Sequence, residues 1–210
     1  MHALHASRPL AISPCMVHTS ASHSKSGLTV FVIMGSTRSG RLCPKIASWV
    51  VAIAQASTNL KYELVDLADW PLPMNDEPGI PELGAYAQEH TRAWSRKIAG
   101  ADAVMFVTPQ YNWGYPAPLK NALDHLYQEW NGKPVIIVSY GGHGGDKSAA
   151  QLKQVAEGLK MRPVPTMPAI TLTREMIQGG PIDPQKDFQA YAGSIRQALA
   201  ELLIQLEPKA

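Results

Sequence analysis

An α/β domain built on a five-stranded parallel sheet, with helices on both faces, is the fold that this sequence predicts. Short apolar runs rich in β-branched residues alternate along residues 28–210 with helix-length stretches whose apolar positions recur at helical spacing. Three of those runs end in loops of unusual composition, at Gly35–Arg41, Gln110–Trp113 and Tyr140–Gly145. With 45% hydrophobic residues in a chain of 210, a full core can be buried without a disulfide or metal staple, so one domain is expected. Right-handed crossovers then place helices on both sides of the sheet.

Residues 1–27 contain no Asp or Glu, several Ser and His, and only Arg8 and Lys25 as fixed positive charges. They are expected to be a disordered extension. The alternative is a targeting leader, although a mitochondrial one would normally carry more Arg on an amphipathic helix, and no apolar core is long enough for a secretory signal. Next, LTVFVIM (Leu28–Met34) reads as a buried strand that runs into GSTRSGR (Gly35–Arg41) and a helix over 43–56. A strand, a small-residue loop and a helix start together make an anion site. Hydroxyls of Ser36, Thr37 and Ser39, the guanidinium groups of Arg38 and Arg41, and helix N-terminal N–H groups can converge on one phosphate. The loop has neither GxGxxG nor a GK[ST] ending, so it suits a single phosphate rather than a chain of them. The competing reading is a polar surface turn with solvated arginines.

A second strand falls near 61–66, followed by a Pro-rich surface loop from Trp70 to Pro81 and a helix near 83–99. DAVMFVTP (Asp102–Pro109) is short, apolar and β-branched, giving a strand over 103–108 with chemistry expected at its C-terminal end. There Gln110, Tyr111, Asn112 and Trp113 offer two aromatic faces, two amides and a row of N–H groups. Pro116 and Pro118 stiffen the exit into a helix over 118–129. A planar heterocycle with polar edges suits this loop; the bland alternative is a β-α connection whose aromatics pack on a neighbouring subunit. KPVIIVSY supplies a strand over 134–139, and YGGHGG (Tyr140–Gly145) follows it. Four glycines in six residues let backbone approach a ligand, with Tyr140 and His143 as side-chain candidates. The same glycines would also serve a sharp bend before the helix over 147–160. A strand over 163–170 and a helix over 185–206 complete the series.

The first loop would hold a phosphate and the other two a ring, so the implied ligand is a phosphorylated flat heterocycle. The segments GSTRSGRLCPKIASWV, TPQYNWGYPAPLKNALDHLYQEWNGKP and VSYGGHGG resemble the flavodoxin-like NADPH-dependent FMN reductase family, in particular its fungal FMN-containing NAD(P)H:quinone reductases. The similarity runs from about Leu28 to Met161. It implies a flavodoxin-like three-layer sandwich with strand order 2-1-3-4-5 and an FMN-binding domain over 28–210. It also implies Ser36 and Arg38 as phosphate ligands, joined by Arg41 where many relatives carry a second serine. Gln110, Tyr111, Asn112, Trp113 and Tyr140 would contact the flavin ring, with Pro109, Gly141 and Gly142 completing the cofactor-binding set. NAD(P)H as donor, a quinone or similar small molecule as acceptor, and a homodimer with active sites near the interface are implied as well.

FMN takes a hydride from a nicotinamide and passes two electrons on, so the protein must bind, orient and tune it; no catalytic side chain is assigned. One open ring face used in turn by donor and acceptor gives ping-pong kinetics. Two other classes stay open, a flavin reductase that releases reduced FMN and a flavodoxin-type electron-transfer or redox-sensing module. A net charge of +2 without a basic run fits neither a nucleic-acid binder nor an acidic electron carrier. Two cysteines, Cys15 and Cys43, make no disulfide framework and suit a reducing, cytoplasmic compartment, with mitochondrial import as the alternative. His143 reads as a rim residue. His125, with Leu126, Tyr127 and Trp130, reads as a candidate dimer face. No HExxH or paired CxxC spacing is present, so no metal is expected. No segment is long and apolar enough to cross a membrane.

Overall fold

Parallel pairing throughout joins six strands into one sheet in a computed structural model that describes residues 27–74 and 76–207. The expectation for residues 1–26 lies outside the described residues. The strands are β1 (Thr29–Met34), β2 (Lys61–Asp66), β3 (Ala103–Pro109), β4 (Pro134–Gly141), β5 (Arg162–Pro163) and β6 (Ala169–Thr171). Their order is β2-β1-β3-β4-β5, with β6 also on β4, which is the expected 2-1-3-4-5 arrangement. The fifth strand differs from the continuous run expected over 163–170. Its place along β4 is taken by two short pieces, β5 beside Pro134–Val135 and β6 beside Ser139–Gly141. Pro163, Pro165 and Pro168 lack an N–H, so the stretch between them cannot sustain a ladder.

Alternation along the strands sorts the core into two layers. Val30, Val32, Met105, Val107, Ile136 and Val138 face α1 (Cys43–Ser57) and the C-terminal helix, while Phe31, Ile33, Val104, Phe106, Val135 and Ile137 face the opposite helices. That second layer is built by α2 (Glu89–Ala99), α3 (Ala117–Asp124) and α4 (Asp146–Gly158). Two single-turn helices, α5 (Arg174–Ile177) and α6 (Pro184–Asp187), precede α7 (Ala192–Gln205), which packs beside α1.

Three expected helices are shorter than their apolar patterns. α2 starts at Glu89 rather than 83, because Pro81–Leu83 form a 3-10 turn closed by Gly84 at φ 68°, a conformation no right-handed helix can run through. α3 stops at Asp124 rather than 129. Tyr127 leaves helical geometry at φ −137°, and the indole N–H groups of Trp94 and Trp130 donate to the Ala122 and Leu123 carbonyls at 2.8 and 3.1 Å. The expected helix over 185–206 breaks at Phe188, a fully buried ring 5.7 Å from Trp49, into α6 and α7. No helix among the described residues is long and apolar enough to cross a membrane.

The order leaves β1 and β3 adjacent at the centre, with β1 leading to α1 on one face and β3 to α3 on the other. A crevice therefore opens at their C-terminal ends, where the two loops from the sequence meet.

Candidate functional site

At the end of β1, the Gly35 N–H donates to the Val107 carbonyl at 2.9 Å, which presses this exit against β3. A Cβ on Gly35 would lie 3.0 Å from the Leu119 side chain and 3.1 Å from Thr108 Oγ1, so a larger residue fits only if those side chains shift. Ser36 follows, wholly buried, with its Oγ 2.8 Å from the hydroxyl of Tyr111 and accepting the Arg38 N–H at 3.4 Å. The Arg38 guanidinium lies 3.8 Å over the Tyr111 ring. One tyrosine thus joins the two loops. α1 begins directly afterwards with no side-chain cap and no acidic residue in its first turn, so its N-terminal N–H groups and partial positive charge remain for an anion.

Arg41 reaches the same place but is not an open cation. Its Nη2 lies 2.5 Å from Asp66 Oδ2 at the end of β2, and Asp66 also accepts the Ala68 N–H. The Nε of Arg41 is buried without a partner. Arg38 is consequently the exposed cation of the loop, while Arg41 is held in a neutralised pair. Sequence reasoning missed Asp66 because a lone carboxylate at a strand end carries no motif.

Tyr111 and Gly114 exchange backbone hydrogen bonds of 2.8 and 3.0 Å, closing a two-residue turn over Asn112 and Trp113. Both central residues are left-handed, at φ 47° and 71°. This is the primed turn that normally takes Asn-Gly, and a non-glycine residue there costs roughly 1–2 kcal/mol. Trp113 occupies it with its side chain 63% exposed, so a large apolar face is held in water at a strained position. Gln151 secures the turn through its Nε2 to the Trp113 carbonyl at 3.2 Å.

Gln110 lines the cleft and also holds a helix in place. Its Oε1 accepts the N–H groups of Lys147 and Ser148 at 3.1 and 3.3 Å, capping α4, whose own N-cap residue is Gly145. Its N–H donates to the Tyr140 carbonyl at 2.9 Å and ties β3 to β4. In the glycine-rich loop, Gly144 and Gly145 are left-handed at φ 78° and 84°. Ser139 Oγ donates to the Gly144 carbonyl at 2.9 Å and Ser148 Oγ to that of Pro109 at 3.1 Å. His143 is exposed.

Tyr140 is buried, and its hydroxyl has no hydrogen-bond partner. Burial raises its pKa far above the usual phenol value, with the nearby Cys43 thiol adding to the shift. Burial likewise raises the Cys43 thiol, whose S–H donates to the Val107 carbonyl at 3.2 Å, so neither group ionises near neutrality.

A cleft of about 340 Å³ brings together Arg38, Arg41, Pro109, Gln110, Tyr111, Asn112, Tyr140, Gly141 and Gly142. Ser36 stands behind it through Tyr111, and Trp113 projects outside the lining. Leu172 and Ile177 form a wall that the sequence did not reveal, because they lie beyond the similar segments and are plain apolar residues with no motif around them. A second cavity, of about 270 Å³, lies between Thr37 and the Trp70, Leu72 and Met74 side of the Pro-rich loop. The expected dimer face on the α3 helix does not exist as such. Leu126 and Trp130 are 1% and 0% exposed and belong to the core around Trp94, while His125, 5% exposed, is bonded to Thr91 and the Pro73 carbonyl.

The family model described as NADPH-dependent FMN reductase matches residues 28–173. An NAD(P)H-dependent FMN reductase of Schizosaccharomyces pombe is 62% identical over 174 residues, covering 82% of this chain and 87% of the relative. A quinone reductase of Escherichia coli (strain K12) is 32% identical over 171 residues, covering 77% and 82%. Among solved structures, FerB, a flavoenzyme NAD(P)H:(acceptor) oxidoreductase from Paracoccus denitrificans, superposes with a TM-score of 0.66 at 26% identity. The match covers 85% of this chain and 98% of that one.

Proposed function

The chain belongs to the NADPH-dependent FMN reductase family, and from that premise we propose that it holds FMN in the cleft at the ends of β1, β3 and β4 and reduces quinones or related acceptors with NAD(P)H. The observation that carries the reading is Tyr111. Its hydroxyl is bonded to the buried Ser36 of the anion loop and its ring is covered by Arg38, while its backbone closes the turn that displays Trp113. An anion site and an aromatic wall therefore face one cleft, as a phosphorylated flat ring requires. FMN, when bound, accepts a hydride from NAD(P)H and delivers two electrons to the acceptor.

The residues present fit that cofactor. Arg38 and the uncapped start of α1 supply charge and N–H donors for one phosphate, and the Arg41–Asp66 pair fixes the loop without adding net charge. Gly141 and Gly142 let the chain pass close beside a ring; a Cβ at Gly142 would stand 3.4 Å from Ile177. Tyr111 on one side and Leu172 and Ile177 on the other line the cleft that would hold it. Cys43 and Tyr140 stay protonated beneath the cleft, so neither adds a negative charge to the site.

No side chain is assigned a proton transfer. Donor and acceptor use the same open face in turn, which gives ping-pong kinetics. A second copy of the chain is the partner we assign. Met74, Ile80 and Leu83, on the segment between β2 and α2, are 68%, 67% and 70% exposed, and pairing would cover them near the second cavity. The compartment we assign is the cytoplasm.

The phosphate grip separates this reading from a generic aromatic pocket. Titrating the cofactor-stripped protein with FMN and with riboflavin is expected to show FMN binding about 100-fold more tightly, since two charge-assisted hydrogen bonds contribute roughly 1.5–3 kcal/mol each before desolvation. Equal affinities would overturn the assignment of the Ser36–Arg38 loop.

A further inference from the structure

We propose that Asp76, His90 and His125 form a binding site for a divalent transition-metal cation of the zinc type, separate from the flavin cleft. Their ligand atoms all lie within 4.8 Å of one another. Zinc accepts this mixture of imidazole nitrogen and carboxylate oxygen, with water completing the tetrahedron. The residues come from three elements that are distant in the chain: the Pro-rich loop, the first turn of α2, and the position after α3. For that reason no spacing motif announces them.

The hydrogen bonds of His125 fix its tautomer. Its Nε2 lies 2.8 Å from the Pro73 carbonyl, which can only accept, so Nε2 carries the proton. In the neutral ring Nδ1 then holds the lone pair, directed at the Thr91 hydroxyl 3.0 Å away. A histidine that donates one N–H to a backbone carbonyl keeps the lone pair on its other nitrogen, which is the tautomer a metal ligand needs. Thr91 can release Nδ1, because its hydroxyl also has the Glu77 carboxylate in reach.

The other two residues carry unmet bonding capacity. His90 Nε2 lies 2.9 Å from Asp76 Oδ2 but is too poorly aligned for a hydrogen bond, and Asp76 Oδ1 is buried with no partner. A cation would satisfy both. A cavity of about 230 Å³, lined by Asp76, Glu77, Asp124 and His125, opens beside them. It offers an entry path, room for water, and a negative field that concentrates cations. A metal bound there would fasten the loop bearing Trp70, Leu72 and Met74, which line the second cavity, to α2 and to the end of α3.

The test uses the full-length, FMN-loaded protein after chelator treatment, titrated with zinc chloride by calorimetry and followed by thermal unfolding. One zinc per chain and a raised Tm are expected, with His90→Gln and Asp76→Asn each weakening binding about tenfold or more. Four of the chain's histidines, His2, His5, His18 and His23, lie near the N-terminus, so a variant with all four changed to Gln is the control and is expected to bind as the parent does. The proposal is overturned if the parent takes up no zinc, if uptake is unchanged in both cluster variants, or if it disappears with the four N-terminal histidines. Should His90→Gln fail to fold, the half-exposed Asp76→Asn decides alone. Because calorimetry reads metal uptake rather than turnover, the result does not depend on the flavin assignment.

Discussion

Replacing Tyr111 with Ala is expected to weaken FMN binding about 10- to 30-fold and to lower the melting temperature by about 3–8 °C. The substitution removes the 2.8 Å contact to Ser36, where a partly buried hydrogen bond contributes about 1 kcal/mol, and the Arg38 stacking at 3.8 Å, which contributes about 0.5–1 kcal/mol. Both losses loosen the phosphate loop before any contact with the ring is counted. Tyr111 is only half-buried, so little core packing goes with it. Tyr111→Phe keeps the stacking and loses the hydroxyl, and is expected to weaken binding about fivefold. Native flavin content and turnover in the Ala variant would show that the two loops do not act together.

The second large effect falls on stability. Gly145→Ala is expected to destabilise the protein by about 2–4 kcal/mol, a fall of about 10 °C in Tm. Gly145 sits at φ +84°, and its added Cβ would lie 3.0 Å from Ser139 Cβ, 3.0 Å from the Tyr140 nitrogen and 3.1 Å from the Tyr140 carbonyl oxygen. Backbone in the last residues of β4 cannot give way as the end of a flexible side chain can. Gly40→Ala is the matched comparison, with φ +70° and nothing within 4 Å of its Cβ, so only the left-handed cost of about 1 kcal/mol applies. Equal melting temperatures for the two variants would mean that the glycine-rich loop is not packed as described.

Much of this arrangement is legible in the sequence because it rests on local patterns. LTVFVIM and DAVMFVTP announce central strands through short apolar runs rich in β-branched residues, and both become fully paired strands with β1 and β3 side by side. The loops after them carry their chemistry in composition, so Ser36, Arg38, Tyr111 and the paired glycines were visible as a set. What stayed hidden depends on contacts between distant residues. The apolar pattern runs on past Asp124 but the helix does not, and its last carbonyls meet indoles from two other segments. The prolines in 163–168 can be seen, yet an edge position tolerates a broken strand that a central one would not. Gln110 looks like any polar loop residue until α4 is found to lack a cap of its own. Asp66, Leu172 and the Asp76–His90–His125 cluster have no local signature, and only the folded chain brings them to their partners. The strain at Trp113 was equally invisible, since a two-residue turn of this type announces itself by glycine.

The measurement that bears most directly on the proposed function is the visible spectrum of the FMN-loaded protein under anaerobic conditions, taken before and after one equivalent of NADPH and again after a benzoquinone is added. The flavin band is expected to bleach with NADPH and to return in full with the quinone. A flavin band that NADPH leaves unchanged would contradict the assignment and mark the chain as a flavin-binding module rather than a reductase.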